Sequence, residues 1–178
     1  AGAAAAYAVV PARFLFSIEH DFLQPSDVAV DAAQRVYVVD GVNNAVKVFD
    51  AAGRFLRMFG GAGDGPGRLR SPLGITTDAA GRLYVADTGN RRVQIFTAAG
   101  AHAGTIELAA DSAAKPPDPV DVAIDETARN LYVVDNDNHR VLVYALPEAR
   151  LRSVWGSEGS QRDNFNYPFF ITVGNDRS

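Results

Sequence analysis

The chain has 178 residues, 47% hydrophobic and 21% charged, the composition of one globular domain or a piece of a larger one and not of a disordered chain. Seventeen basic against 21 acidic side chains leave a net charge of −4, which argues against a general nucleic-acid binder, and the absence of cysteine excludes disulfides, thiol catalysis and Cys-ligated zinc. No apolar run approaches the roughly 20 residues that a membrane-spanning helix needs.

Residues 1–12 read as an alanine-rich N-terminal tail. Its first eight residues, AGAAAAYA, lack the charged start of a signal peptide; they fit either the beginning of a mature exported chain or a frayed end. Residues 13–178 are expected to form one repeat domain. The apolar stretch Arg13–Ile18 predicts a lone outer strand. From Pro25 the chain repeats itself, with Pro72, Pro119 and Pro168 opening matching segments at separations of 47, 47 and 49 residues. Asp31, Asp78 and Asp125 fall in register, as do Asp40, Asp87 and Asp135, and Asn43, Asn90 and Asn138.

Each full repeat holds four short apolar runs, in the first Val28–Val30, Val36–Val39, Val46–Phe49 and Phe55–Phe59. They are rich in Val, Ile, Tyr and Phe and are separated by Gly, Asp, Asn and Ala, which predicts strands joined by tight turns. The runs YVV, YVA and YVV do not alternate apolar with polar, so both faces of each sheet are expected to be covered. Small sheets packed face to face around an axis supply that environment, which makes the chain an all-β β-propeller. The recurring aspartates are expected to hold turns through their own backbone neighbours, because a catalytic residue is needed once and not once per repeat.

Leu83-Tyr-Val-Ala86 followed by Asp87-Thr-Gly-Asn-Arg-Arg-Val-Gln-Ile-Phe96 resembles the core of the NHL repeat, and Gly60–Gly67 before Pro72 looks like that family's glycine-rich connection between blades. The resemblance implies a six-bladed propeller that serves as a binding platform; some relatives are lyases and some bind RNA. The first repeat departs at Ala45, where the others carry Arg92 and Arg140, and the loop Asn136–His139 departs from Thr-Gly-Asn-Arg. With Phe169–Val173 as a lone inner strand, the expectation is three complete four-stranded blades and two single strands, an incomplete propeller needing a protein partner or the remaining blades to complete the ring.

Charge is unevenly placed. Between Arg54 and Arg92 seven arginines face three aspartates, and between Asp111 and Asp137 seven acids face two bases. Arg70 and Arg91 are the expected interface residues on the loop-bearing face, while Arg92 and Arg140 are expected to pair with repeat aspartates between blades. Asn138 and His139, in the departing loop, are further binding candidates. Asp27 and Asp121 occupy equivalent positions at the channel mouth, where two carboxylates suit a Ca²⁺ or another divalent cation; Gly74 fills that slot in the second repeat. No other cofactor is expected, and His20, His102 and His139 lack the spacing of a zinc site. These readings favour a non-enzymatic protein-binding scaffold outside the cytoplasm. A propeller lyase or hydrolase with a channel metal, and an RNA-binding module, are the alternatives.

Overall fold

The computed structural model describes residues 13–109 and 115–174; the predicted tail 1–12 lies outside them. Twelve strands form three four-stranded antiparallel sheets. The first blade holds β1 (Pro25–Val30), β2 (Val36–Asp40), β3 (Ala45–Phe49) and β4 (Phe55–Gly60). The second holds β5 (Ile75–Thr77), β6 (Leu83–Asp87), β7 (Arg92–Phe96) and β8 (His102–Glu107). The third holds β9 (Pro119–Asp125), β10 (Asn130–Asp135), β11 (Arg140–Ala145) and β12 (Arg150–Trp155). Two single 3-10 turns, Thr88–Asn90 and Asn136–Asn138, join the middle strands of the second and third blades. No described helix is long and apolar enough to cross a membrane.

The turns explain why each sequence run stops where it does. The Oδ1 of Asp31 accepts the backbone N–H groups of Ala33 and Arg35, and Asp78 and Asp125 accept those of Arg82 and Ala128. These bonds fold the first two strands of each blade into a hairpin. One or two residues before each second strand the backbone takes a positive φ, at Gln34 (60°), Gly81 (78°) and Arg129 (54°). Asp31 also accepts a hydrogen bond from the hydroxyl of buried Tyr37 at 2.9 Å, and burial followed by this bond pushes that hydroxyl up to about 12.

Packing between blades supplies the core. Tyr37, Val39, Val46 and Val48 of the first blade meet Ile75, Leu83, Val85 and Phe96 of the second. Tyr84, Ala86 and Val93 of the second meet Val122, Leu131, Val133 and Leu142 of the third. Continuous apolar runs are thus explained: the middle strands of the second blade are packed on both sides, and Leu83–Asp87 is buried throughout. Each fully buried aliphatic or aromatic side chain here stabilises by about 1.5–3 kcal/mol. The sheets do not close into a ring. Val28 (55% exposed), Val30 (51%) and Met58 (64%) lie open on the first blade, and Trp155 (47%), Phe169 (48%) and Phe170 (75%) lie open beside the third.

Both lone strands need correction. Arg13–Ile18 lies 47 residues before Gly60–Gly65, the connection between blades, and not before β4; it contains no strand. Phe169–Val173 sits at the right register for an inner strand, but no described segment lies alongside to make a ladder, and none is formed.

Candidate functional site

At the end of each second strand a carboxylate is fully buried: Asp40, Asp87 and Asp135. Three kinds of donor converge on each. The incoming connection supplies a backbone N–H, from Leu23 (2.9 Å), Arg70 (2.7 Å) and Asp118 (2.9 Å). The asparagine three residues on supplies its amide, from Asn43, Asn90 and Asn138. A cation completes the set: Arg92 Nε to Asp87 at 2.8 Å and Arg140 Nε to Asp135 at 2.7 Å. In the first blade Ala45 fills the arginine position, and Lys47, two residues along and on the same face, brings Nζ within 2.8 Å of Asp40. Burial raises the carboxyl pKa of Asp40, but the bonds from Lys47, Asn43 and Leu23 together hold it below the ordinary value. Arg92 and Arg140 therefore pair within their own blades, not between blades. Asn138 spends its amide on Asp135 and on the carbonyl of Lys115.

The channel carboxylates do a different task. Asp27 accepts the N–H of Val28 and, from the next blade, that of Ile75, both at 2.7 Å. Asp121 accepts those of Val122 and Ile171, both at 2.8 Å. Asp27 thus ties β1 to β5, and Asp121 ties β9 to the segment around Ile171. Both line one cavity of about 270 Å³ with Thr76 and Thr172. Among the described residues no group of three or more His, Asp or Glu converges as metal ligands. Gly74 fills the same column because Asp121 comes too close: a Cβ there would lie 2.6 Å from the Asp121 Cα.

Burial pushes the Asp121 carboxyl up to about 6 against the lowering hydrogen bonds from Ile171 and Val122, and the charge of Asp27 adds to the rise. Asp27 is raised too, again chiefly by burial. A carboxyl that binds its proton more tightly when folded contributes stability that is full below about pH 4 and is lost as pH rises through about 6. Urea denaturation from pH 4 to 7.5 is therefore expected to show Asp121→Asn gaining on the natural chain as pH rises, by about 2–3 kcal/mol over the range. A constant difference between the two would contradict the assignment.

On the loop-bearing face, the residue after each repeat asparagine adopts left-handed backbone: Asn44 (φ 54°), Arg91 (60°) and His139 (53°). Asn44 Oδ1 accepts the Ser71 N–H at 2.7 Å, and His139 Nδ1 accepts the Tyr167 N–H at 3.0 Å. His139 is buried, its ring 4.4 Å from that of Tyr167, so it latches the third blade to the segment that follows. Arg70 and Arg91 are exposed; the Arg70 side chain packs over Gly89, where a Cβ would meet Arg70 Cγ at 2.7 Å. Lys47 and this latch column are the structural residues that sequence reasoning missed. The signal for the second was the position after Asn in every repeat.

A cavity of about 580 Å³ lies beside the first blade and is lined by His20, Lys47, Met58, Phe59 and Arg68. Lys47 is already committed to Asp40 and the Asp21 carbonyl. In the second blade the corresponding space is filled by the glycine-rich connection, with the Gly67 N–H on Gln94 and Arg92 on the Gly65 and Arg68 carbonyls. The cavity is thus an uncovered part of a blade.

A family model described as NHL repeat matches residues 22–49, 69–96 and 117–144, the spans that contain the three aspartate–asparagine fasteners. Over these three spans the chain is similar to the NHL repeat. Solved propellers share its fold. A nidogen/laminin complex aligns with TM-score 0.68 at 21% identity, over 87% of this chain and 54% of that one. A virginiamycin B lyase from Staphylococcus aureus, solved with quinupristin, gives 0.67 at 16% identity over 90% and 49%. The WD40 repeats of RRP9 give 0.63 at 16% over 77% and 40%. The chain spans about half the length of these structures. No curated protein matches it significantly.

Proposed function

We propose that these NHL repeats form part of a six-bladed, non-enzymatic scaffold that binds a protein partner through the loop-bearing face. The observation that carries this reading is the fate of the recurrent polar columns. Asp40, Asp87 and Asp135 and their asparagines and cations are consumed in holding strands and connections together. The exposed arginines Arg70 and Arg91 stand apart from those fasteners, on a rigid frame, and arginine heads suit carboxylate-bearing surfaces. The open faces of the first and third blades are where the remaining blades, or a partner replacing them, would pack. An extracytoplasmic setting belongs to the same proposal, and cell fractionation tests it.

The expected result with Arg70→Glu/Arg91→Glu is loss of a partner captured by the natural protein, with an unchanged melting temperature. Equal capture by both proteins would overturn the reading. A lyase remains the second reading, favoured by the paired channel carboxylates Asp27 and Asp121 and by the likeness in fold to virginiamycin B lyase. A stoichiometric metal lost on Asp27→Ala would support it. Net charge −4 weighs against the RNA-binding alternative.

A further inference from the structure

The three blade junctions are built alike, except for one. At the junction after the first blade Asn44 latches the Ser71 N–H, and after the third His139 latches the Tyr167 N–H. The second blade places Arg91 in that column, and an arginine has only donors. The facing connection is altered as well. Pro117 has no N–H to give, and the Asp118 N–H is already held by Asp135. No side-chain latch from this column closes the junction. Beside the bond from Thr88 Oγ1 to the Pro119 carbonyl (2.7 Å) it leaves a cavity of about 310 Å³, lined by Thr88, Gly89, Arg91, Pro116, Asp118 and Asp137 among others.

The charges around this cavity are opposed and unpaired. Among the described residues the Arg91 side chain makes no hydrogen bond and no ion pair, although its charge acts on Asp118. Asp118 and Asp137 form no salt bridge either. Burial raises the Asp118 carboxyl, and the nearby Asp137 charge raises it further, so this wall holds negative charge at a cost that a cation would relieve. The other wall presents a guanidinium with a fork of free donors. A ligand carrying one charge satisfies one wall and leaves the other unpaired.

We propose that the cavity between the second and third blades binds a small zwitterion of amino-acid or dipeptide size, its carboxylate on Arg91 and its ammonium between Asp118 and Asp137. Ser71 lines the same space and offers a hydroxyl, Thr88 donates its own to the Pro119 carbonyl and keeps only acceptor capacity, and Pro116 and Pro117 form a stiff wall. The cavity lies at the lower end of the volume range of small-molecule pockets. This site goes beyond the protein-binding reading and does not depend on it, since no partner is needed to observe it.

The test is titration of the whole chain with alanylalanine, followed by amide chemical shifts in heteronuclear NMR. Two analogues lack one charge each: alanylalanine amide and N-acetyl-alanylalanine. The expected result is saturable shifts centred on Arg91, Asp118 and Asp137, with each analogue bound about tenfold or more weakly, the worth of one charge-assisted hydrogen bond. Arg91→Ala should abolish the preference for a free carboxylate, and Asp118→Asn/Asp137→Asn the preference for a free ammonium, with melting temperatures unchanged. The Asp118 backbone bond survives its substitution, so a folded variant is expected. Equal binding of either analogue, shifts elsewhere on the molecule, or no saturable shift at millimolar peptide would overturn the proposal.

Discussion

Asp87→Ala is expected to cost the fold about 3–5 kcal/mol, the usual loss when one member of a buried ion pair is removed. The carboxylate is completely buried and accepts from four groups: the Arg70 N–H, the Asn90 amide (which reaches both oxygens), Arg92 Nε and the Gln94 amide. Alanine would leave Arg92 as a charge that is largely buried and lacks its counter-ion. It would also release the connection from the first blade, which is tied down through Arg70. Asp87→Asn keeps the shape and one acceptor oxygen and should lose roughly half as much. Urea denaturation followed by far-ultraviolet circular dichroism measures both. A loss under about 1 kcal/mol for the alanine variant would mean that the carboxylate is solvated, as for an exposed pair.

Gly74→Ala is expected to destabilise by about 3 kcal/mol or more, at the upper end for overpacking a close contact. Repeat logic alone suggests the opposite, since Asp27 and Asp121 occupy the same column without strain. The geometry decides it. A Cβ at Gly74 would lie 2.6 Å from the Asp121 Cα and 2.9 Å from the Val120 carbonyl oxygen, so backbone must move. The junction of the second and third blades would have to open. Gly65→Ala is the control: its Cβ would meet nothing within 4 Å, and its stability should change by less than about 0.5 kcal/mol. Similar losses in the two variants would show that blade spacing at the channel is loose.

Much of this architecture is written in short-range terms. The 47-residue period, the four apolar runs per repeat and the turn aspartates are local features, and Asp31, Asp78 and Asp125 make the backbone bonds that their place at strand ends predicts. What escaped were contacts between distant residues. Lys47 replaces an arginine from two positions away, because side chains two apart share a strand face; a column-by-column comparison sees only the missing arginine at Ala45. Arg13–Ile18 is apolar enough for a strand, yet the register of Phe22 with Leu69 assigns it to a connection. Its offset of 47 residues from Gly60–Gly65 decides its place, not its hydrophobicity. His139 looked like an exposed loop ligand, and only the approach of Tyr167 shows that it is buried. Arg91 was singled out for its charge; that its column elsewhere serves as a latch, and that the junction opens where the latch fails, depends on comparing three junctions in space.

The three fasteners also set where the molecule can be altered. Leu23, Arg70 and Asp118 donate backbone N–H groups from connections that have little regular structure of their own. Such segments ordinarily exchange with solvent quickly. Here they are held as firmly as the strands they join, which gives the loop-bearing face a fixed shape and lowers the ordering cost of any ligand it meets.

Amide hydrogen exchange at Leu23, Arg70 and Asp118 tests this most directly. Those three amides should be as slow as strand amides such as Val93 and Val133, and in Asp87→Asn the Arg70 amide alone should become much faster. Exchange at all three as fast as in free loops would contradict the claim that the repeated aspartates fasten the blades together.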